Sequence, residues 1–228
     1  SVEIDKIQKI CKQNNIFLIE DVSQAHGAKF KKKKLESFGD IACFSCYPTK
    51  NLGAIGDAGL ITTNSNKYYT KIKMLREYGW TDRYISSING RNSRLDEIQA
   101  SILRIKLKNL DKDNLRRIKI AKFYNKNLDK NKYSLPLILK NNFHVFHLFV
   151  IKTNNRNKLL KYLQSNGVFA GIHYPKPIHL QKAYYKRIKT SSNLKNTEFV
   201  CKKILSLPIY PELTILDQKK IVSLLNKF

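Results

Sequence analysis

Apolar residues in the first part of the chain recur with two different periods. In residues 2–13 they return every three or four positions, which predicts an amphipathic helix. Residues 16–20, 41–47 and 59–63 are short, mostly apolar runs that indicate strands, the first of them buried. A helix, a turn and a strand form half of a parallel α/β unit, so the carboxyl end of such a strand should open on a crevice.

The pattern then becomes helical. Asn64-Ser65 should cap a helix that runs to about Tyr78, and a long helical stretch should start at Asp96. The polar run at residues 111–114 predicts a break or bend in that stretch. Such a pair of helices commonly links one domain to the next.

The last part of the chain predicts a second domain, so the chain divides into residues 1–115 and 116–228. The elements predicted there are a strand at 145–151, a helix near 155–166, a loop rich in Gly, His and Pro at 171–179, and a final helix from Leu216. Helices that alternate with short apolar strands indicate the α/β fold class.

The composition allows a real core but points to no particular partner. The chain has 228 residues, 42% of them hydrophobic, and 43 Lys and Arg against 17 Asp and Glu give a formal net charge of +26. Such a charge normally suggests a nucleic-acid partner. Here, however, the basic residues are scattered along the chain and accompanied by many Asn and Ile, a composition that A/T-rich codons would produce. The one lysine run, Lys31–Lys34, is a solvated loop or an anionic-ligand site.

Compartment and metal signals are weak. No apolar run reaches membrane-spanning length, the start lacks signal-peptide character, and four cysteines in a long chain suggest reduced thiols in a cytoplasm. Cys43 and Cys46 form a lone pair that fits core positions better than zinc. His173 and His179 lie in a Pro-rich loop and favour a structural or substrate-loop role, so we predict no metal.

Lys50 and Asp21 are the two candidate reactive residues. Lys50 follows a predicted strand in a turn bounded by Pro48 and Gly53, and Asp21 follows the strand before it. A lysine in a turn is usually a solvated charge, and such an aspartate is more often a cap. Together, however, a partly desolvated amine and a directed carboxylate are the groups that pyridoxal phosphate needs for its Schiff base and its ring nitrogen. Ser45 flanks the same turn and could bind a phosphate.

Five motifs in order resemble those of the DegT/DnrJ/StrS sugar aminotransferases, a fold-type I pyridoxal-phosphate family. The first resembles a strand-end motif, the second a Schiff-base segment, the third a dimer-crossing loop, and the last two C-terminal motifs. They are residues 20–28 (EDVSQAHGA), 44–53 (FSCYPTKNLG) with 56–59 (GDAG), 90–100 (GRNSRLDEIQA), 173–181 (HYP to HLQ) and 205–208 (LSLP).

The resemblance implies a role for each site residue. Lys50 would hold pyridoxal 5'-phosphate as a Schiff base and later move the proton of the reaction. Asp21 would pair with the ring nitrogen, and Gln24 would hydrogen-bond the phenolic oxygen. Ser45 would contact the phosphate, and Asn92 would reach the phosphate of the partner subunit in a homodimer.

The resemblance also implies substrates. The motifs at 78–84 and 92–97 are most similar to those of enzymes that aminate a 3-keto-6-deoxyhexose linked to dTDP, usually with L-glutamate as amino donor. His26, His173 and Tyr174 are the candidate substrate contacts. We therefore expect a cytoplasmic enzyme of deoxyamino-sugar biosynthesis, for lipopolysaccharide or another surface glycan.

The sequence departs from the family pattern at its start. The family's glycine-containing phosphate loop and the aromatic residue stacked on the ring are not in it, so it resembles the C-terminal part of a fold-type I aminotransferase. We expect a partial large-domain sheet with helices plus a smaller C-terminal domain, and an N-terminally truncated fragment that is inactive alone. Ala58 stands where a glycine is common.

Alternatives stay open. A C4-specific or UDP-sugar aminotransferase of the same family would share these motifs. A basic nucleic-acid-binding regulator would explain the charge, although the sequence shows no helix-turn-helix and no basic stripe interleaved with aromatics. Family members that dehydrate their sugar typically have His where Lys50 stands, which argues against that reaction.

Overall fold

The computed structural model describes residues 2–190 and 193–228. Contacts between Cα atoms group the chain into two compact units. The first comprises the residues up to Leu115 together with Ile138–His147, and the second comprises Arg116–Leu137 together with Leu148–Phe228. The predicted domains stay a prediction; the compact units differ from them because Ile138–His147 groups with the first unit.

The first unit is built around a three-stranded mixed sheet. In chain order its elements are α1 (Ile4–Gln13), β1 (Ile19–Asp21), β2 (Lys29–Phe30), β3 (Lys33–Lys34), β4 (Ile41–Ser45), β5 (Gly59–Thr62), α2 (Asn66–Leu75), β6 (Trp80–Asp82), β7 (Ile85–Ser86), the first part of α3 (Glu97–Asn127) and β8 (Asn142–Phe143). The main sheet has the order β1-β4-β5, with β1 parallel to β4 and β4 antiparallel to β5. Helices packed with a mixed sheet confirm the predicted α/β class.

Elements with a strong local signal lie where the pattern predicts them. The structure has α1, β4, β5 and α2 within a few residues of their predicted bounds. The Ser65 hydroxyl caps α2 by accepting a hydrogen bond from the Tyr68 N–H at 3.4 Å. Helix α2 ends at Leu75 rather than near Tyr78, because the Tyr78 N–H leaves the helix and donates to the Arg91 carbonyl at 3.2 Å.

The structure corrects both the bounds and the burial of the strand predicted at 16–20. Strand β1 begins only at Ile19, and the side chains of Phe17 and Ile19 are 71% and 61% exposed. Glu20 points inward instead and accepts a hydrogen bond from the Gly39 N–H at 2.6 Å, while burial raises the pKa of its carboxyl. Because β1 pairs only with β4 among the described residues, it lies at a sheet edge with little cover for its apolar side chains.

The predicted break at residues 111–114 is wrong, because α3 runs through them without interruption. Asp and Asn have weak helix propensities, but tertiary contacts routinely override that preference. Here Asn114 is fully buried and its amide is hydrogen-bonded at both ends. Despite its length α3 is too polar to cross a membrane, and no other helix in the described residues qualifies.

The second unit pairs a short antiparallel sheet with helices. It contains the last part of α3, β9 (Phe149–Lys152), α4 (Arg156–Ser165), α5 (Lys195–Lys203), β10 (Ile204–Leu207) and α6 (Ile215–Lys227). Strands β9 and β10 pair antiparallel. The predicted strand at 145–151 begins later, at Phe149, whereas α4 and α6 lie close to their predicted bounds. Neither α5 nor β10 was predicted from the sequence. Fully buried side chains form the core: Phe149, Ile151, Leu159, Leu163, Leu205 and Leu225.

Candidate active site

Two parallel strands of the first unit end beside each other and carry the candidate residues. Asp21 ends β1 and lies opposite Cys43 of β4, and the Val22 N–H donates to the Cys43 carbonyl at 2.8 Å. Ser45 ends β4, and Lys50 follows in the next turn. Because parallel strands present their carboxyl ends at the same edge, Asp21, Ser45 and the Lys50 turn lie at one edge of the sheet, as the sequence predicts.

The turn that carries Lys50 is tight. The Lys50 N–H donates to the Tyr47 carbonyl at 2.9 Å, and the Ala54 N–H returns to the Cys46 carbonyl at 2.8 Å. Gly53 packs so closely that a Cβ atom there would collide with the Pro48 carbonyl. The turn therefore needs glycine at this position and holds the lysine backbone in one conformation.

The charges at this edge suit an imine-forming amine beside an ionised carboxylate. Hydrogen bonds from Ser23, above all from its hydroxyl, hold the pKa of the Asp21 carboxyl below its ordinary value, and the positive charge of Lys50 adds to this effect. The Ser23 N–H lies 3.0 Å from Asp21 Oδ1. Within the described part of the chain, the half-buried Lys50 ammonium makes no hydrogen bond or ion pair, so it is not committed to a structural partner.

His26 is a buried, neutral imidazole in the same place. It is 1% exposed, its ring lies 5.5 Å from the Phe44 ring, and neither ring nitrogen has a hydrogen-bond partner of normal geometry among the described residues. Burial lowers the pKa of His26 to about 4; the Ser45 carbonyl opposes this shift and the charge of Lys50 reinforces it. At neutral pH the imidazole is therefore uncharged, with one ring nitrogen protonated and the other not.

The buried imidazole should make the protein less stable in acid. Because the folded-state pKa of His26, about 4, lies below the ordinary value of 6.5, the unfolded chain binds more protons as the pH falls through this interval. Stability is therefore full above about pH 6.5 and falls by roughly 3 kcal/mol toward pH 4. Urea unfolding at several pH values measures this decline.

A matched pair of variants isolates the contribution of His26. His26→Leu removes this titrating group and should reduce the acid decline in the free energy of unfolding to the share that His144 contributes, since burial lowers the pKa of that imidazole as well. His179→Leu, which removes an imidazole paired with Glu198 at 3.1 Å, should leave the decline attributed to His26 in place. An equally steep decline in the wild type and in His26→Leu would contradict the assignment.

Two further predicted residues at this edge have unused polar groups. Gln24 lies exposed on the loop after β1, and its side-chain amide makes no hydrogen bond within the described part of the chain. The Ser45 Oγ accepts a long hydrogen bond of 3.4 Å from the Tyr47 N–H, which leaves its own proton available for donation. Both side chains are therefore free to bind a ligand.

Asn92 lies in a different part of the first unit. Its segment is tied to the end of α2, because the Arg91 N–H donates to the Leu75 carbonyl at 2.9 Å. The Asn92 Oδ1 accepts a hydrogen bond from Arg94 Nε at 3.1 Å. Neither contact brings Asn92 to Lys50, and its predicted role in a second subunit stays a prediction.

His173 and Tyr174 belong to the second unit. The His173 Nδ1 lies 2.9 Å from the Ser206 Oγ, and the ring of His173 packs edge-on against that of Tyr174 at 5.6 Å. Tyr174 is largely exposed, and both residues line a cleft of about 610 Å³. Their predicted contact with substrate stays a prediction.

Three residues of α3 hold the Lys50 loop and were not predicted from the sequence. Gln99 accepts a hydrogen bond from the Gly56 N–H at 2.9 Å, and the Lys106 ammonium donates to the Gly53 carbonyl at 2.6 Å. Asn114 contacts the side chain after Lys50. A signal existed for Asn114, because it continues the spacing of the buried Leu103 and Leu110 and so occupies a core position.

These observations fit the cofactor predicted from the sequence. Lys50 offers an uncommitted amine for an aldehyde, and Asp21 offers an ionised carboxylate for a ring nitrogen. Ser45 and Gln24 offer free donors for a phosphate and a phenolic oxygen. Among the described residues, no group of three or more His, Cys, Asp or Glu side chains is arranged to hold a metal ion. Cys46 packs in the core instead, beside Leu52.

Comparison with known proteins extends the sequence resemblance to nearly the whole chain. The model of the DegT/DnrJ/EryC1/StrS aminotransferase family matches residues 1–226. The chain is 40% identical over 228 residues to the dTDP-3-amino-3,6-dideoxy-alpha-D-galactopyranose transaminase of Aneurinibacillus thermoaerophilus, which covers 100% of this chain and 62% of that protein. It is 36% identical over 212 residues to the dTDP-3-amino-3,4,6-trideoxy-alpha-D-glucose transaminase of Streptomyces venezuelae, with 92% and 56% covered.

Solved structures give the same picture. A DegT/DnrJ/EryC1/StrS aminotransferase from Brucella abortus superposes with a TM-score of 0.95 at 33% identity, over 100% of this chain and 61% of that one. NtdA from Bacillus subtilis, solved with bound cofactor PMP, superposes with a TM-score of 0.87 at 28% identity, over 99% and 53%. The chain thus spans between about half and three-fifths of the length of these proteins. These matches confirm the resemblance and the predicted fold.

Proposed function

Because the chain belongs to the DegT/DnrJ/EryC1/StrS aminotransferase family, we propose that it forms part of a pyridoxal-phosphate-dependent sugar aminotransferase. The observation that carries the proposal is the pairing of an uncommitted Lys50 amine with an ionised Asp21 at one edge of the sheet. Two relatives named as transaminases of dTDP-3-amino sugars support it. PMP, bound in one structural relative, is the amino form of the same cofactor.

Pyridoxal phosphate supplies an electron sink for the charge that develops when an amino donor loses its α-proton. Lys50 would hold the cofactor through its amine, and that amine, when free, would accept the proton from the α-carbon of the donor. Asp21 holds a proton on the ring nitrogen, since its own pKa is lowered and it stays ionised at neutral pH. These two residues therefore orient the cofactor and move the proton.

The other predicted residues would bind rather than react. Ser45 donates to the phosphate, and Gln24 donates to the phenolic oxygen of the ring. Asn92 serves the phosphate of a second copy of the chain, so the proposed enzyme is a homodimer. His26, the remaining candidate substrate residue, would shape the wall of the pocket, because its ring is only 1% exposed.

The proposed substrate is a dTDP-linked 3-keto-6-deoxyhexose, and the proposed amino donor is L-glutamate. In the overall reaction, the amino group of glutamate and the keto oxygen of the sugar change places. Glutamate becomes 2-oxoglutarate, and the keto carbon of the sugar becomes an amine-bearing carbon. The relatives with dTDP-3-amino sugars in their names support a 3-keto over a 4-keto sugar. A UDP-linked 3-keto sugar is the alternative, because two other relatives, 37% and 32% identical, carry UDP sugars in their names. We place the reaction in the cytoplasm, in the synthesis of deoxyamino sugars for lipopolysaccharide or another surface glycan, with His173 and Tyr174 as substrate contacts.

One assay tests this proposal. The full-length protein, loaded with pyridoxal phosphate, is given glutamate and, in separate reactions, a dTDP-3-keto 6-deoxyhexose, a dTDP-4-keto 6-deoxyhexose or a UDP-linked 3-keto sugar. The products are identified by mass spectrometry. We expect an amino sugar from the 3-keto substrate together with 2-oxoglutarate. If only the 4-keto sugar or only the UDP sugar gives product, that sugar is the substrate instead. If none of the keto sugars receives an amino group, the proposed function is wrong.

A further inference from the structure

Asn114 is the most buried polar group near the Lys50 turn, and both ends of its amide are used. It is 0% exposed. Its Oδ1 accepts a hydrogen bond from Asn51 Nδ2 at 2.8 Å, and its Nδ2 donates to the His26 carbonyl at 2.9 Å. One side chain of α3 therefore joins the turn that carries Lys50 to the segment that carries His26.

Asn51 transmits this contact directly to Lys50, which it follows in the chain. Its Nδ2 also lies 3.1 Å from the Val145 carbonyl, and its Oδ1 lies 3.2 Å from the His147 Nδ1. With its side chain held on three sides, Asn51 fixes the backbone conformation of the turn. The Lys50 Cα then has a defined position from which its amine can extend.

The contact to His26 depends on a close approach of the Gly27 backbone to side chains of α3. Gly27 has a left-handed conformation, with φ of 77°, and a Cβ atom there would lie 3.0 Å from Asn114 Nδ2. A larger residue in this conformation would be strained and would push the amide away. Gly27 thus lets α3 come near enough for Asn114 to reach the His26 carbonyl.

The position of Asn114 on α3 matches those of the two other residues that hold the loop. Gln99 and Lys106 precede it by about four and two helical turns, so all three lie along one side of the helix. Gln99 and Lys106 bind the backbone at Gly56 and Gly53. Of the three, only Asn114 bonds to the residue next to Lys50 and to His26 at the same time.

We propose that Asn114 is a positioning residue, which acts through Asn51 to set the place of the Lys50 amine relative to His26. The inference rests on the proposed function for its consequence, but the positioning itself is a property of this chain. An apolar side chain of similar branching, such as Leu, would occupy the same place, but it would take one acceptor from Asn51 and leave the His26 carbonyl without the Asn114 donor. The turn would then open more often.

Labelling of Lys50 tests the positioning without any cofactor. The unloaded full-length protein is treated with a trace of acetic anhydride, and the acetylation rates of Lys50 and of the exposed Lys140 are compared by peptide mass spectrometry. We expect Asn114→Leu to raise the ratio of the two rates about fivefold, the effect of losing one hydrogen bond of ordinary strength. Asn109→Leu, on the exposed side of α3, should leave the ratio unchanged.

A second variant and a kinetic measurement complete the test. Asn51→Ala removes the hydrogen bond to Asn114 at its other partner, which is only half-buried, and should raise the labelling ratio similarly. This variant tests the positioning role if Asn114→Leu does not fold. In the loaded enzyme each variant should lower kcat at least about tenfold with little change in KM for the sugar. The fall in kcat in the double variant should be smaller than the product of the two single falls, because both substitutions break the same hydrogen bond.

The outcomes separate two failures. An unchanged Lys50 labelling ratio in folded Asn114→Leu and Asn51→Ala proteins overturns the positioning role, whatever happens to stability. A fall in stability with kcat and labelling preserved also overturns it, since Asn114 would then be a purely structural residue. A wild-type protein that aminates no keto sugar refutes the proposed function instead, and leaves the labelling result standing.

Discussion

Replacing Lys50 by alanine is expected to abolish amino transfer. The variant has no amine to bind the aldehyde carbon and no base at the α-carbon of the donor, so the rate should fall by at least about 10³-fold. Borohydride reduction of the loaded wild-type protein should attach the cofactor to the peptide that contains Lys50. The alanine variant should show no such attachment. Stopped reactions and peptide mass spectrometry measure both effects.

Two controls separate the amine from the charge. Lys50→Arg keeps the positive charge beside Asp21 but cannot lose its proton to become a nucleophile, so it should be as inactive as the alanine variant. Lys140→Ala, at an exposed loop residue, should be fully active. Borohydride labelling at another lysine, or normal turnover by Lys50→Arg, would show that Lys50 does not carry the reaction.

Replacing Asp21 by asparagine is expected to give the second largest loss. The amide is close to isosteric but carries no charge, so it cannot keep a proton on the ring nitrogen, and the electron sink weakens. The rate of amino transfer should fall by about 10² to 10³-fold, as when one preorganised electrostatic contact at a reacting centre is lost. The Ser23 N–H can still donate to the amide oxygen, so folding should change little.

The matched control for this charge change is Asp5→Asn. Asp5 forms an exposed ion pair with Lys31 at 2.7 Å, so the variant loses one negative charge outside the candidate site. Such exposed pairs contribute little, and the variant should keep both activity and stability. If Asp21→Asn turned over at the wild-type rate, the ring nitrogen would need another partner and the proposed orientation of the cofactor would be wrong.

The positions of those candidate residues that local sequence encodes were predictable. Asp21, Ser45 and Lys50 are placed by the ends of two strands and by one tight turn, and each of these leaves a short-range signal in the chain. Gly53 is an example, because a turn that brings its Cα against the Pro48 carbonyl accepts no side chain. The order of such motifs was also enough to indicate the family.

The exposed first strand and the uninterrupted α3 could not be predicted in this way. An apolar run such as 16–20 predicts burial only if another layer covers it, and the pattern holds no information on that layer. The run at 111–114 has the composition of a break, yet the helix continues because one of its residues is held by partners far away in the chain. Local propensity is a weak preference beside such contacts.

The sequence by itself determined the chemical groups and their order along the chain: a lysine in a rigid turn, a carboxylate at a strand end, and the motifs that indicate a sugar aminotransferase. Only the tertiary structure decided that His26 is buried and neutral, and that Asn114 holds it and the Lys50 turn together. The physical reason is the distance along the chain between these residues. Asn114 meets Asn51 across 63 residues and the His26 carbonyl across 88, and no local pattern records which distant polar groups will share a buried hydrogen bond.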